Sequence, residues 1–277
     1  MDHVSLYLVA TPIGNRGDMS ERAKEILASV DFIAAEDTRT SGILLTGYGI
    51  KKPMVSYFDH NRRAHGEMIL SRLEAGETCA LISDAGMPGI SDPGEDLAAA
   101  CHARGLKVSA IPGPCAFVTA LAMSGLPTRR FAFEGFLPQE NKPRRILLDE
   151  LKNDPRTLLF YEAPHRLAAT LAEFAEVFGE DRRICCVREI SKCYEEAILS
   201  TLSDAVARTA AVPPRGEFVL VLEGSKPAAA VRPSDDVLLE QFRIKSGEGL
   251  SKSLAAKEIA REYGMTKRDV YDLIKDL

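Results

Sequence analysis

Three loops of this sequence hold residue types that can bind a small ligand closely. The longest, Ser83-Asp84-Ala85-Gly86-Met87-Pro88-Gly89-Ile90-Ser91-Asp92-Pro93-Gly94, follows an apolar run and precedes a helical one. Its glycines let the backbone approach a ligand, its prolines stiffen that backbone, and Asp84 can accept from hydroxyl or ammonium groups. The alternative, a mere tight connection, needs fewer residues. Ala10-Thr11-Pro12-Ile13-Gly14-Asn15 and Ile111-Pro112-Gly113-Pro114-Cys115-Ala116 have the same placement after apolar runs. Open α/β sheets hold ligands in loops at the carboxyl ends of their strands, so the three loops predict one pocket. No G-x-G-x-x-G is present, and Gly247 to Ser253 lacks both P-loop spacing and a preceding strand.

Two further clusters carry titratable groups. In Ala35-Glu36-Asp37-Thr38-Arg39-Thr40, two carboxylates and a guanidinium end an apolar run. Either Asp37 or Thr38 caps the next helix with Arg39 paired to a carboxylate, or Asp37 and Arg39 line the acceptor side of the pocket. Phe160-Tyr161-Glu162-Ala163-Pro164-His165-Arg166 places an acid, an imidazole and a guanidinium together. Such a group can take a hydroxyl proton or bind a phosphate, and its plainer reading is a helix cap with an exposed His. In Arg215-Gly216-Glu217-Phe218 the glycine allows another close backbone approach. Lys142-Pro143-Arg144-Arg145, on a long connection, is a candidate phosphate contact. His60 and His65 are five apart, off any common helix face, so no metal is expected.

The elements that must position these groups alternate along the chain. Apolar runs at Val4–Ala10, Phe32–Ala35, Thr78–Ser83 and Leu106–Ile111 lie between amphipathic stretches at Ser20–Val30, Glu67–Glu74, Asp96–Ala103 and Ala116–Met123. That pattern predicts an α/β unit with a mainly parallel sheet over residues 1–125. Asp18 stands three residues before Glu21 as a capping box, and Asp92-Pro93 opens a helix as N-cap and first residue. After the breaker Gly125-Leu126-Pro127-Thr128, a second α/β unit over 126–224 has apolar runs at Phe131–Phe136, Thr157–Tyr161, Arg183–Val187, Ala197–Leu202 and Phe218–Leu222. A linker at 225–233 leads to a tail, 234–277, with helical spacing at Asp236–Lys245, Leu250–Tyr263 and Lys267–Leu277. Gly264 and Thr266 serve there as C-cap and N-cap of a helix-turn-helix.

Composition narrows the function classes. The 277 residues are 45% hydrophobic and 27% charged, the balance of a chain that buries a sizeable core. No 18-residue apolar stretch occurs, and Met1-Asp2-His3-Val4-Ser5 opens no leader, so neither secretion nor a membrane span is expected. The six cysteines form no C-x-x-C pair, which fits reduced thiols in a cytoplasmic protein. A net charge of -5 provides no global basic field, so a nucleic-acid partner needs local cations.

Taken in order, ATPIGN, AEDTRTS, SDAGMPGISDPG, IPGPCA, FYEAPHR and RGEFVLVLEG closely resemble the ribosomal RNA small-subunit methyltransferase I branch of the tetrapyrrole methylase superfamily. The resemblance runs from about Leu6 to Gly224, and the tail is similar to the helix-turn-helix module that many members carry. It implies two α/β domains holding S-adenosylmethionine in a cleft between them, usually in a homodimer. It implies methylation of a cytidine ribose 2′-hydroxyl at the decoding centre of 16S ribosomal RNA, within the small ribosomal subunit. The implied cofactor contacts are Pro12, Asp84, Gly86, Met87, Ser91, Pro114, Cys115, Ala116, Tyr161, Gly216 and Glu217. Methyl transfer is an in-line displacement that depends on alignment, for which rigid loops are suited. Glu162, Asp37 and His165, in that order, are the candidates to take the hydroxyl proton. Arg39, Lys142, Arg144, Arg145 and Arg166 are the candidates to hold RNA.

Two other readings compete. A methylase of a tetrapyrrole or of a protein side chain would share the cofactor loops. A ligand-sensing, DNA-binding regulator would use the tail as its reader, but Ser246 to Leu277 hold six Lys/Arg and six Asp/Glu, a poor balance for a duplex binder.

Overall fold

A computed structural model of the chain describes residues 4–58, 61–226 and 233–275. His60, most of the expected linker and the last two tail residues lie outside the described residues. The chain forms two compact units, the first ending at Gly224 and the second starting at Ser225.

The first unit begins with a five-stranded, wholly parallel sheet. Its strands are β1 (Leu6–Val9), β2 (Phe32–Ala35), β3 (Met54–Ser56), β4 (Cys79–Ile82) and β5 (Val108–Ile111), in the order β3-β2-β4-β1-β5. Helices cover both faces, which is why β2 and β4 are unbroken apolar runs rather than alternating ones. On one face α1 (Glu21–Ser29) and α2 (Thr38–Gly47) set Leu27 and Leu45 against Val9, Ile33 and Ile82. On the other, α3 (Arg62–Glu74) and α4 (Glu95–Ala103) set Leu70 and Leu97 against Leu6, Phe32 and Leu81.

A second sheet completes this unit, with β6 (Phe131–Phe136), β7 (Thr157–Glu162), β8 (Arg183–Arg188), β9 (Glu196–Thr201) and β10 (Phe218–Leu222) in the order β6-β7-β10-β8-β9. Only β6 and β7 run parallel; the other pairings are antiparallel. One face is covered by α6 (Asn141–Leu151), α7 (Pro164–Phe178) and α8 (Leu202–Ala211), with Leu148, Leu171 and Phe174 packed on Phe160 and Leu220. The other is covered by α5 (Ala116–Met123), whose Ala120 and Leu121 meet Leu159, Val187 and Val221. This helix precedes the breaker at Gly125, yet it packs on the second sheet.

Four local expectations are corrected. The short strand β3 and the helix α6 escaped the periodicity reading, so Lys142, Arg144 and Arg145 lie on a helix and not on a connection, whereas α2 is the helix expected after its cap Asp37. Asp18 does not cap α1; Ser20 does, its hydroxyl accepting from the Ala23 N–H. Asp92 is not the N-cap of α4, a position taken by Gly94. The helical stretch expected at Glu67–Glu74 starts five residues earlier, at Arg62.

The second unit comprises α9 (Asp235–Gly247), α10 (Lys252–Glu262) and α11 (Lys267–Ile274), closed around Phe242, Ala256, Ile259, Val270 and Ile274. Thr266 caps α11 as expected, its side chain accepting from the Asp269 N–H. Among the described residues, no helix is long and apolar enough to cross a membrane. All six cysteines are free.

Gly94 has φ +142°, and a Cβ there would stand 2.7 Å from Leu81 Cδ2 and 3.2 Å from the Gly89 nitrogen. Gly76 has φ +95° with nothing within 4 Å of such a Cβ. Gly76→Ala is expected to cost about 1 kcal/mol in urea unfolding, and Gly94→Ala about 2 kcal/mol or more, because the second adds a clash to the backbone strain.

Candidate active site

The loops after β1, β4 and β5 meet the ends of β6, β7 and β10 around a cavity of about 480 Å³. Two of these loops are joined directly. Thr11 donates its N–H to the Gly86 carbonyl at 2.9 Å and accepts the Gly86 N–H at 3.0 Å. The Thr11 hydroxyl donates to the Ser83 carbonyl at 3.1 Å. Gly86, at φ +91°, supplies the turn that lets its main chain face β1. Ser91, at φ +59°, is a non-glycine residue in the left-handed region, which marks the far end of this loop as strained.

Of the residues expected to hold the cofactor, Gly86, Met87, Ser91, Cys115, Ala116, Tyr161 and Glu217 line the cavity. Pro12, Asp84, Pro114 and Gly216 stand one residue behind lining neighbours. Asp84 couples the loop to the AEDTR segment: its carboxylate accepts the Asp37 N–H at 3.3 Å, and its own N–H points to Glu36 Oε2 at 3.5 Å. Partial burial, with help from the Asp37 charge, raises its pKa above the usual carboxylate value.

Sequence reasoning treated Asp92 as a helix cap, but it lines the cavity. Burial, then the charges of Glu36 and Asp84, push its pKa up to about 6 against a hydrogen bond with Ser83 that works the other way. The rest of the wall is largely apolar, with Ile13, Met87, Ala116 and Val219 facing one space. Tyr161 presents a ring whose hydroxyl is raised to about 12, mainly by burial.

The loop between β8 and β9 also reaches the site, unannounced by any motif. Its Ile190 and Lys192 line the cavity. Lys192 donates to Glu189 at 3.0 Å and to Glu217 at 2.7 Å. Its stem runs where Gly14 would carry a side chain, since a Cβ there would lie 2.4 Å from Lys192 Cγ. Ser191 hydrogen-bonds Asp18. A loop of the second sheet therefore grips the first loop of the first sheet, a contact visible only in three dimensions.

The candidate proton acceptors separate in space. Glu162 is in the cavity wall, but its carboxylate is only 1% exposed. It accepts from the Ala163 N–H at 2.9 Å and from the Thr170 hydroxyl at 2.5 Å, with Arg166 at 3.5 Å. Both oxygens are thus engaged, one with the residue before α7 and one with Thr170 in its middle, an arrangement that anchors the helix to β7. Asp37 stands outside the lining, caps α2 through the Arg39 N–H at 2.8 Å, and pairs with the Arg39 guanidinium at 3.0 Å. Those bonds hold its carboxyl below the usual range. His165 is exposed on the first turn of α7.

The basic candidates differ in the same way. Arg144 is paired with Glu173 at 2.8 Å, Arg145 with Glu176 at 2.7 Å, and Arg166 donates to the Leu137 carbonyl at 3.0 Å. These three brace α6, α7 and the end of β6 internally. Arg39 remains 90% exposed despite its pairing, and Lys142 is exposed on α6. Among the described residues, no group of three or more His, Cys, Asp or Glu is arranged to hold a metal ion.

The sequence profile of the Tetrapyrrole (Corrin/Porphyrin) Methylases matches residues 5–206. A protein of Synechocystis sp. named Ribosomal RNA small subunit methyltransferase I is 46% identical over 272 residues, covering 98% of each chain. One of the same name from Escherichia coli O157:H7 is 41% identical over 268 residues, covering 96% of this chain and 93% of its own. Among solved structures, uroporphyrin-III-C-methyltransferase from Thermus thermophilus superposes with a TM-score of 0.56 at 18% identity, over 79% of this chain and 94% of its own. A cobalt precorrin-4 methyltransferase of cobalamin biosynthesis gives 0.57 at 14% identity, over 78% and 94%. At such low identity these two establish the fold alone. The paired sheets, the profile and the near full-length relatives together place the chain in the tetrapyrrole methylase superfamily, where it belongs to the ribosomal RNA small subunit methyltransferase I family.

Proposed function

We propose that this chain is an S-adenosylmethionine-dependent methyltransferase that methylates the ribose 2′-hydroxyl of a cytidine in the decoding centre of 16S ribosomal RNA, within the small ribosomal subunit. The observation that carries this reading is identity of 41–46% to small subunit methyltransferases I over 96–98% of the chain. The cavity supports it through its chemistry. S-adenosylmethionine has a flat aromatic end and a methionyl end that carries a sulfonium, an ammonium and a carboxylate, and the wall offers Tyr161 with Ile13, Ala116 and Val219 for the first and, for the second, the Asp92 carboxylate and the Lys192–Glu217 ion pair. The volume is also that of a small-molecule site.

When bound, the cofactor supplies a methyl carbon made electrophilic by its sulfonium. The chain's part is to align and enclose. Gly86, Met87, Ser91, Cys115 and Ala116 contact the cofactor in this reading, with Pro12, Asp84 and Pro114 fixing the loops behind them and Gly216 and Glu217 closing the second sheet's side. A ribose hydroxyl is a poor nucleophile that gains from proton removal. Glu162 is closed to solvent and anchors α7, and Asp37 is held ionised by Arg39 outside the cavity lining, which leaves the exposed His165, next to the lining Pro164, as the group placed to accept that proton. Arg39 and Lys142 are the cations that face phosphates, while Arg144, Arg145 and Arg166 shape the helices under them.

The working form in this reading is a cytoplasmic homodimer. Val118 on α5 and Phe131 on β6, 49% and 41% exposed, flank Phe117 and supply apolar surface for a second copy. The tail, read as a helix-turn-helix module, serves RNA recruitment.

Labelled methyl from S-adenosylmethionine is expected on a decoding-centre cytidine ribose of 30S subunits that lack the modification; no transfer despite cofactor binding would move the search to another acceptor. Cofactor affinity is expected to fall as pH drops from about 7.5 to about 5, because the Asp92 carboxylate takes up a proton and loses its attraction for a cation. In Asp92→Asn, calorimetry should show affinity at neutral pH about tenfold or more weaker and the pH dependence gone. Glu162→Gln should lower stability by about 1–3 kcal/mol in denaturant melts. Its transfer rate at saturating substrates should stay within about threefold of the parent, against the roughly hundredfold loss that removing a general base brings.

A further inference from the structure

At its mouth the cavity changes character. Phe136, at the end of edge strand β6, lines it and is 56% exposed; Ile90, on the loop after β4, lines it and is 41% exposed. These two segments touch, since a Cβ on Gly135 would stand 3.3 Å from Ser91 Oγ. The Phe136 ring meets Tyr161 at 60° and 5.4 Å, Tyr161 meets Phe133 at 4.9 Å, and Phe133 stacks on Phe117 at 4.2 Å. Packed aromatic rings thus hold Phe136 from behind and leave more than half of it in solvent. A lone exposed Phe needs no explanation, but one fixed on the rim of a ligand cavity does.

Farther in, the wall is acidic. Asp92 and the buried Glu162 line it, with Glu36 close enough to Asp92 to raise its pKa, while the exposed Glu217 at the cavity edge is paired with Lys192. Carboxylates in a partly dry site repel phosphates, so the backbone of an RNA acceptor stays outside. The parts of a nucleotide that can enter are its uncharged ones, the ribose and the base. A ribose reaching past this rim brings its own base against Phe136, out of any helical stack, and an aromatic face receives any base by stacking.

We propose that Phe136 is the platform on which the pyrimidine of the acceptor nucleotide stacks, with Ile90 beside it on the rim, so that the ribose hydroxyl is directed into the cavity. This inference rests on the RNA methyltransferase reading above. Phe136 supplies affinity and orientation and takes no part in moving the proton. It is a positioning residue, and its ring, not its bulk, is what matters.

The test compares Phe136→Ala, Phe136→Leu and Phe136→Tyr for kcat and KM with unmodified 30S subunits, and for S-adenosylmethionine affinity by calorimetry. Loss of stacking should lower kcat/KM for the subunit roughly 10- to 100-fold in the Ala and Leu variants, with recovery in the Tyr variant and cofactor affinity within about threefold throughout. A Leu variant as active as the parent overturns the proposal, as does a Phe136→Ala protein that has lost cofactor affinity, which would make the ring a cofactor contact. A second readout is independent of turnover: 5-iodocytidine at the acceptor position of the RNA, irradiated with the unsubstituted protein, should crosslink to the peptide containing Phe136. Methyl transfer to such subunits with a crosslink elsewhere overturns the proposal. If the unsubstituted protein transfers no methyl at all, both the inference and the function beneath it fall, and that result is distinct from each of the others.

Discussion

Thr11 and Gly86 exchange two main-chain hydrogen bonds of 2.9 and 3.0 Å, with the Thr11 side chain wholly closed to water. Bonds in such a place cannot be traded for bonds to solvent, so breaking them leaves polar groups stranded. They lock the loop after β1 to the loop after β4, and the remaining geometry hangs from that lock. Met87, Ile90, Ser91 and Asp92 reach the cavity because the Gly86 turn is held, and Ile13, one residue past Pro12, packs among the residues that cover the second sheet. The strained backbone of Ser91 persists for the same reason: a conformation that the residue alone would abandon is fixed at both ends by its surroundings.

Charge then divides the work between the inside and the outside of the site. A chain with a net charge of -5 is an unpromising partner for RNA when judged by its total field. The cavity makes that sign useful. Burial first, and then the charges of Glu36 and Asp84, oppose ionisation of Asp92, a cost that a cationic ligand relieves. The same carboxylates disfavour phosphates inside the cavity, while Arg39 and Lys142 stand exposed outside its lining. Some of the apparent basic surface is paired within the fold. Arg144 and Arg145 pair with Glu173 and Glu176 across α6 and α7, and Arg166 donates to the Leu137 carbonyl after β6.

The parallel half of the fold was legible because strands buried on both faces leave unbroken apolar runs, as β2 and β4 do. The three-residue β3 is too short to show a period, and α2 was announced only by its cap Asp37, inside a segment whose polar residues suggested chemistry first. Loops rich in Gly and Pro announced the first-sheet side of the cavity, since their composition is dictated by local backbone geometry. The β8–β9 loop did not, because Ile190 and Lys192 are ordinary residues whose position comes from strand pairing far along the chain. Glu162 is a related case: an acid beside a His and an Arg has the composition of a proton relay, while in the fold its carboxylate is closed to solvent and bonded to the Ala163 N–H and the Thr170 hydroxyl. Asp92 misled the other way, its place before Pro93 disguising a carboxylate of the cavity wall as a cap.

The strand order β3-β2-β4-β1-β5 also sets a timetable for synthesis. β1 leaves the ribosome first but is hydrogen-bonded only to β4 and β5, with Leu6 opposite Cys79 and Val108. At a translation rate of roughly 5–20 residues per second, several seconds separate the emergence of β1 from that of its first partner. β2 and β3, which pair Ile33 with Met54, have each other long before that. The nascent chain therefore carries an apolar strand with both edges open until β4 arrives and inserts between β2 and β1. The loop that β4 brings with it contains Gly86, so the lock on Thr11 closes in the same step that gives the sheet its centre.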